Sequence, residues 1–137
     1  METKLKHLEF IQNTINRMAK NSFLLKGWAI TIIGGLLAFS IKEMDCLYVL
    51  VSLVILIFFW LLDGYYLYQE KLYIKLYDHV RQQSVDKIDF SMATDYFKKD
   101  IDWKNCFFSK TMLLFYGGLL IVHVIIRIIK VVVLLFI

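Results

Sequence analysis

CLYVLVSLVILIFFWLL, residues Cys46–Leu62, is an uncharged apolar run with no proline or glycine in it. It approaches the ~20 residues a helix needs to cross ~30 Å of hydrocarbon, and no proline interrupts it. Working outward, FLLKGWAITIIGGLLAFSI (Phe23–Ile41) precedes it, broken only by Lys26, and a third apolar stretch runs from Thr111 to Ile126 and is extended by Val131–Ile137. Three such stretches predict an all-α integral membrane protein. With 59% apolar residues and 20% charge set between the apolar blocks, the composition agrees. The first twenty-two residues are charged and amphipathic and no small-residue cleavage site follows the first run, so Phe23 onward reads as a retained span rather than a signal peptide.

Only four residues, Lys42, Glu43, Met44 and Asp45, separate the first two runs. They therefore predict an antiparallel transmembrane hairpin, with a third transmembrane helix after it. Four segments follow: a cytoplasmic amphipathic helix over 1–22, the hairpin over 23–68, a cytoplasmic extension and linker over 69–110, and the third helix over 111–137. Lysine and arginine placement sets the orientation. Lys4, Lys6, Arg17, Lys20 and Lys26 precede the hairpin, whereas its turn has only Lys42, so the N-terminus is expected in the cytoplasm of a cell whose inner membrane holds the chain. Lys71, Lys75, Arg81, Lys87, Lys98, Lys99, Lys104 and Lys110 place the 69–110 segment on the same side. Cys46 and Cys106 then fall on opposite faces of the bilayer and cannot pair within one chain.

A turn centred on 42–45 makes residues whose numbers sum to roughly 87–89 equal in depth. Lys26 comes level with Asp63, where an ion pair would lower the cost of either charge and could act as a gate or simply set hairpin depth. Trp28 comes level with Trp60, as in an interfacial aromatic belt. Gly27, Thr31, Gly34, Gly35 and Ala38 form a small-residue stripe suited to close helix packing, and Gly117 and Gly118 give a shorter one.

Beyond Asp63 the second helix is predicted to continue to about Gln83, with positions 65, 68, 72, 76 and 80 forming a sticky face. Leu8, Ile11, Ile15 and Met18 recur at heptad-like spacing on the N-terminal helix. They are expected to pack on that face, on its copy in another subunit, or on a soluble partner, or else to lie flat on the membrane surface. Between Ser84 and Lys110, Ile88, Phe90 and Met92 alternate like a short extended strand. Thr94 is placed to cap a helix through Phe97 and Ile101 toward Trp103. Lys87, Lys98, Lys99 and Lys104 are candidate ligands for an anionic signal, or members of a solvated linker lying on the headgroups.

Tyr116, His123, Arg127 and Lys130 stand at i, i+7, i+11 and i+14, on one face of the third helix. Ionisable residues at membrane depth are functional candidates because an unpaired charge there is costly. Around a ring of subunits this face could line an anion-biased pore. Otherwise the span ends near Ile126, with Arg127 and Lys130 reaching outer headgroups and the last seven residues folded along the interface. A Gly-rich phosphate loop, metal-ligand spacing among His7, His79 and His123, and a nucleophile beside a base are all missing, so neither an enzyme nor a cofactor or metal is expected. Nucleic-acid binding is not expected either, since the basic residues are interspersed with carboxylates.

Asn21–Trp28 (NSFLLKGW), Phe59–Leu67 (FWLLDGYYL), Gln69–Tyr73 (QEKLY), Asp89–Met92 (DFSM) and Phe107–Lys110 (FFSK) resemble a family of small bacterial multi-pass membrane proteins. In organisation the chain also resembles the SLATT-like two-transmembrane effectors of nucleotide-signalled anti-phage systems, in which a hairpin with flanking cytoplasmic helices is thought to assemble and breach the membrane. The third apolar segment departs from that plan. The resemblance implies a homo-oligomeric, channel-like effector in the bilayer, gated by a cytoplasmic protein or nucleotide signal. A membrane anchor that recruits a soluble enzyme through its N-terminal helix would use the same sticky faces.

Overall fold

The computed structural model describes Met1–Phe136, and among these residues every regular element is helical. Helix α1 spans Glu2–Glu43 and α2 spans Cys46–Gln82. Two 3₁₀ turns follow at Val85–Lys87 and Asp95–Lys99, then a short α3 at Trp103–Phe107 and a long α4 at Lys110–Phe136. Three of these helices are long and apolar enough to cross a membrane.

The expected division at residue 22 is not a structural break. With no proline anywhere in the chain, nothing stops the N-terminal helix from running into the first apolar stretch, and α1 extends for 42 residues, roughly 63 Å at 1.5 Å each. It ends at Met44, whose left-handed backbone (φ 56°) reverses the chain. Asp45 then caps α2, its carboxylate accepting from Leu47 N–H at 2.8 Å.

Contacts between α1 and α2 run in opposite order along the two helices, so the pair is antiparallel. Lys4 donates to the carbonyls of Arg81 and Gln83, while Lys26 pairs with Asp63 at 2.5 Å. Two cores result. One joins Ile11 and Ile15 of α1 to Leu72, Leu76 and Val80 of α2, closed by Ile88 and Phe97 from the connecting segment. The other joins Ala29, Ile33 and Leu37 to Leu56 of α2 and to Met112 and Tyr116 of α4.

The connecting segment differs from its sequence reading. The alternation at Ile88, Phe90 and Met92 makes no strand. Asp89 instead accepts from Ser91 N–H and Ser91 from Ala93 N–H, local turns that outcompete a ladder, and Phe90 adopts φ 55°. Thr94 makes no side-chain cap, and the turn it precedes is a 3₁₀ helix ending at Lys99. Asp102 starts a separate helix by accepting from Lys104 N–H at 3.0 Å. That helix packs directly on α2: a Cβ on Gly64 would lie 2.6 Å from the Phe107 ring, so only glycine permits the approach. Trp60 Nε1–H donates to the Phe107 carbonyl at 2.9 Å.

Helix α4 continues without a break through Phe136, so residues 128–136 do not fold away from it, Ile137 lying outside the described residues.

Candidate functional site

The polar line on α4 turns Tyr116, His123 and Lys130, but not Arg127, toward the other two helices. At its lower end, Asp63 is fully buried and its carboxylate accepts from three side chains. Ser22 donates to Oδ1, Lys26 to Oδ2 at 2.5 Å, and the Tyr116 hydroxyl to Oδ2 at 2.9 Å. Lys26 also donates to Ser22 Oγ at 3.0 Å. The Trp60 ring stacks on Tyr116, with centroids 5.8 Å apart and planes 2° from parallel. A buried carboxylate requires this many donors, because leaving either charge unpaired costs more than the pair returns.

Seven residues further along α4, His123 is buried and its Nδ1 lies 2.7 Å from the Leu119 carbonyl. A carbonyl only accepts, so Nδ1 carries the proton. The ring's Nε2 lies 2.9 Å from Ser52 Oγ, whose single hydroxyl proton also has the Val49 carbonyl within reach at 2.9 Å. Seven residues beyond that, Lys130 is also buried, donating to Ser40 Oγ at 2.8 Å and to the Asp45 carbonyl at 3.1 Å. Among the described residues no carboxylate faces its ammonium; the C-terminal end of α1, with its outward carbonyls and negative dipole end, takes that part.

Three polar rungs thus lie along α4 at Tyr116, His123 and Lys130, separated by roughly 10 Å of helix each. Arg127 remains exposed at the rim of a cleft of about 160 Å³ beside Val49, Leu50 and Leu53. Sequence reasoning found the α4 residues and the Lys26–Asp63 pair. It missed Ser22, Ser40 and Ser52, although serines inside apolar runs at matching depths were a usable signal.

The other candidates are spread out. Ile11 and Ile15 are consumed in the core against α2, with Leu8 packed beside it and Met18 half-buried. Gly27, Thr31, Gly34, Gly35 and Ala38 are all exposed. A Cβ added to Gly27, Gly34, Gly35, Gly117 or Gly118 would meet nothing within 4 Å. The small-residue stripe therefore seats no helix of this chain. Lys98 pairs with Asp95 at 2.6 Å, and this exposed contact raises the lysine's pKa and lowers the aspartate's. Lys104 lies over the Trp103 ring, while Lys87 and Lys99 are exposed. Cys46 is exposed and Cys106 buried, both free; burial pushes the Cys106 thiol up, which favours its protonated form. Trp28 is exposed, whereas Trp60 is turned inward to Tyr116 and Phe107. Among the described residues, no group of three His, Cys, Asp or Glu could hold a metal ion.

No protein-family model, curated protein or solved structure matches the chain.

Proposed function

We propose that this chain is a three-span inner-membrane protein, N-terminus in the cytoplasm, whose copies assemble into a channel-like effector that breaches the membrane when a cytoplasmic signal acts. The phage-defence setting rests on the family resemblance alone. One observation carries the reading: the file of buried polar groups from Ser22, Lys26, Asp63 and Tyr116, through Ser52 and His123, to Ser40 and Lys130. It covers roughly 20 Å of α4, most of a ~30 Å hydrocarbon core.

Apolar side chains would hold three helices together at lower desolvation cost, so a polar file through the interface suits a path that hydrates when α4 swings away. In this reading the three rungs are the closed state's bolts. The exposed small-residue stripe on α1 is the surface that a second copy uses, because in lipid close backbone approach replaces the hydrophobic drive to associate. The anchor alternative has less support, since the Ile11 and Ile15 face it needs is spent inside the chain.

The experiment is ion flux from liposomes containing the purified protein, with the subunit count measured in parallel. Asp63→Asn and Lys130→Met should raise flux above wild type while four or more copies persist. Arg127→Leu should leave it near the wild-type value. Flux equal to protein-free liposomes for every variant, or a stable monomer, would end the channel reading.

A further inference from the structure

A second site lies far from the polar file, at the start of α1. Thr3, Lys6, His7, Phe10 and Thr14 line one side of a cleft of about 550 Å³, and Phe90 and Met92 line the other. That volume lies within the ~300–1,000 Å³ common for small-molecule sites. Thr14 is nine residues before Phe23, so the cleft begins roughly 13 Å below the first apolar stretch and extends further from it. Bilayer lipid does not explain an apolar slot at that distance.

Two independent features point to a ligand. His7 is only 5% exposed, and its Nε2 is a buried nitrogen with no hydrogen-bond partner. Such groups are paired in the great majority of folded proteins. Phe90, whose ring meets the His7 ring at 5.5 Å and 72°, holds a left-handed backbone (φ 55°) and is half exposed. An apolar ring set beside an unpaired imidazole by an unfavourable backbone gives the cleft a wall that can shift to admit a ligand and then pack against it.

The lining also defines the polar end of the occupant. Lys6 is its one charged residue, held only by a loose, exposed contact to Glu2 at 3.6 Å. The positive end of the α1 dipole adds to it. Lys4 does not compete, being engaged with the Arg81 and Gln83 carbonyls. We infer that this cleft binds a small organic acid with an aromatic or ring-sized apolar body. The ring enters between Phe10 and Phe90, and the carboxylate takes its hydrogen bonds from His7 and Lys6. Binding here does not require that the assembly conduct. If the effector reading is also right, the cleft is an input through which the 88–92 segment responds to its signal.

The test uses the full chain in lipid nanodiscs with ¹³C,¹⁵N-labelled histidine, the His7 resonances being assigned with His7→Gln. The probes are 5-fluoroindole-3-acetate and neutral 5-fluoroindole. Saturable movement of the His7 signals by the acid is expected, with His79 and His123 still. Lys6→Gln should weaken the acid about tenfold and leave the neutral probe unchanged, and Phe90→Ala should weaken both. Unmoved His7 signals at millimolar acid would overturn the site. Equal binding of the two probes, insensitive to Lys6→Gln, would overturn the acid assignment. Neither result bears on liposome flux, so the site and the channel reading fail separately.

Discussion

The two halves of the α1–α2 pair are built inside out relative to one another. Toward the chain's N-terminus, α1 and α2 bury Ile11, Ile15, Leu72, Leu76 and Val80 and expose lysines, glutamates and asparagines. Toward the turn they still bury Ile33, Leu37 and Leu56, but Ser40, Ser52, Asp63, His123 and Lys130 lie inside with them, while Ile30, Leu50, Val54, Phe58 and Leu114 face out. In the proposed membrane placement one pair of helices obeys two solvents: in the water-facing half apolar burial drives packing, and in the lipid-facing half the polar groups are the ones that must find partners inside.

The sharpest way to break that comparison is at Asp63. Asp63→Ala leaves Lys26, Ser22 and Tyr116 facing a buried gap, so the loss should be on the order of 3–5 kcal/mol in lipid or mild detergent. Lys26→Met/Asp63→Leu together should recover much of it, because an apolar pair needs no donors. Reversible unfolding in mixed micelles measures both, and a single mutant no weaker than the double would show that the charges are not coupled. In the water-facing half the largest loss should come from an apolar deletion. Leu72→Ala, at a fully buried position, should cost about 2–4 kcal/mol by leaving a cavity. Loss of amide-exchange protection should be concentrated in 2–18 and 66–82. Equal loosening of α4 would mean that the two cores are one.

Between the halves, α3 is pinned on α2 at Gly64. Gly64→Ala pushes a methyl to 2.6 Å from the Phe107 ring, so the ring or α3 must shift. A cost of about 1–3 kcal/mol is expected, together with loss of the Trp60–Phe107 hydrogen bond. Trp60 fluorescence should shift, read against Trp28→Phe and Trp103→Phe backgrounds; an unchanged spectrum would show that α3 moves with its ring.

Much of this was legible in the sequence because the signals were long. Apolar runs and the missing proline predicted the helices, and the turn at 42–45 predicted that Lys26 and Asp63 meet. The orientation of the α4 polar line was not legible, since a helical face at i, i+7 and i+14 is the same whether it lines a pore or bolts to its own neighbours. The decision lay in Ser22, Ser40 and Ser52, single polar atoms whose meaning depends on depth and rotation together. The 84–102 segment failed for a different reason: strand alternation and turn-forming side chains coincide at Asp89 and Ser91, and the local turns won.

The smallest effect sits at the border of the two solvents. Glu70 lies seven residues, about two turns, beyond Asp63 on α2, and burial raises its pKa above 4.5 against the pull of Lys71 and Lys26. The folded chain then binds its proton more tightly than the unfolded chain does. Stability therefore falls as pH rises from 4.5 through the raised value, and above that window the ionised carboxylate is a constant penalty. Because Glu70 is only half-buried, screening limits the penalty to about 1 kcal/mol. Glu70→Gln should flatten this part of the pH–stability curve and be slightly more stable than wild type at neutral pH. A Gln variant that loses stability at pH 7 would instead assign Glu70 to the ion-pair network with Lys71 and Lys26, and would move the border between the two halves at least two turns toward the core around Ile11 and Leu72.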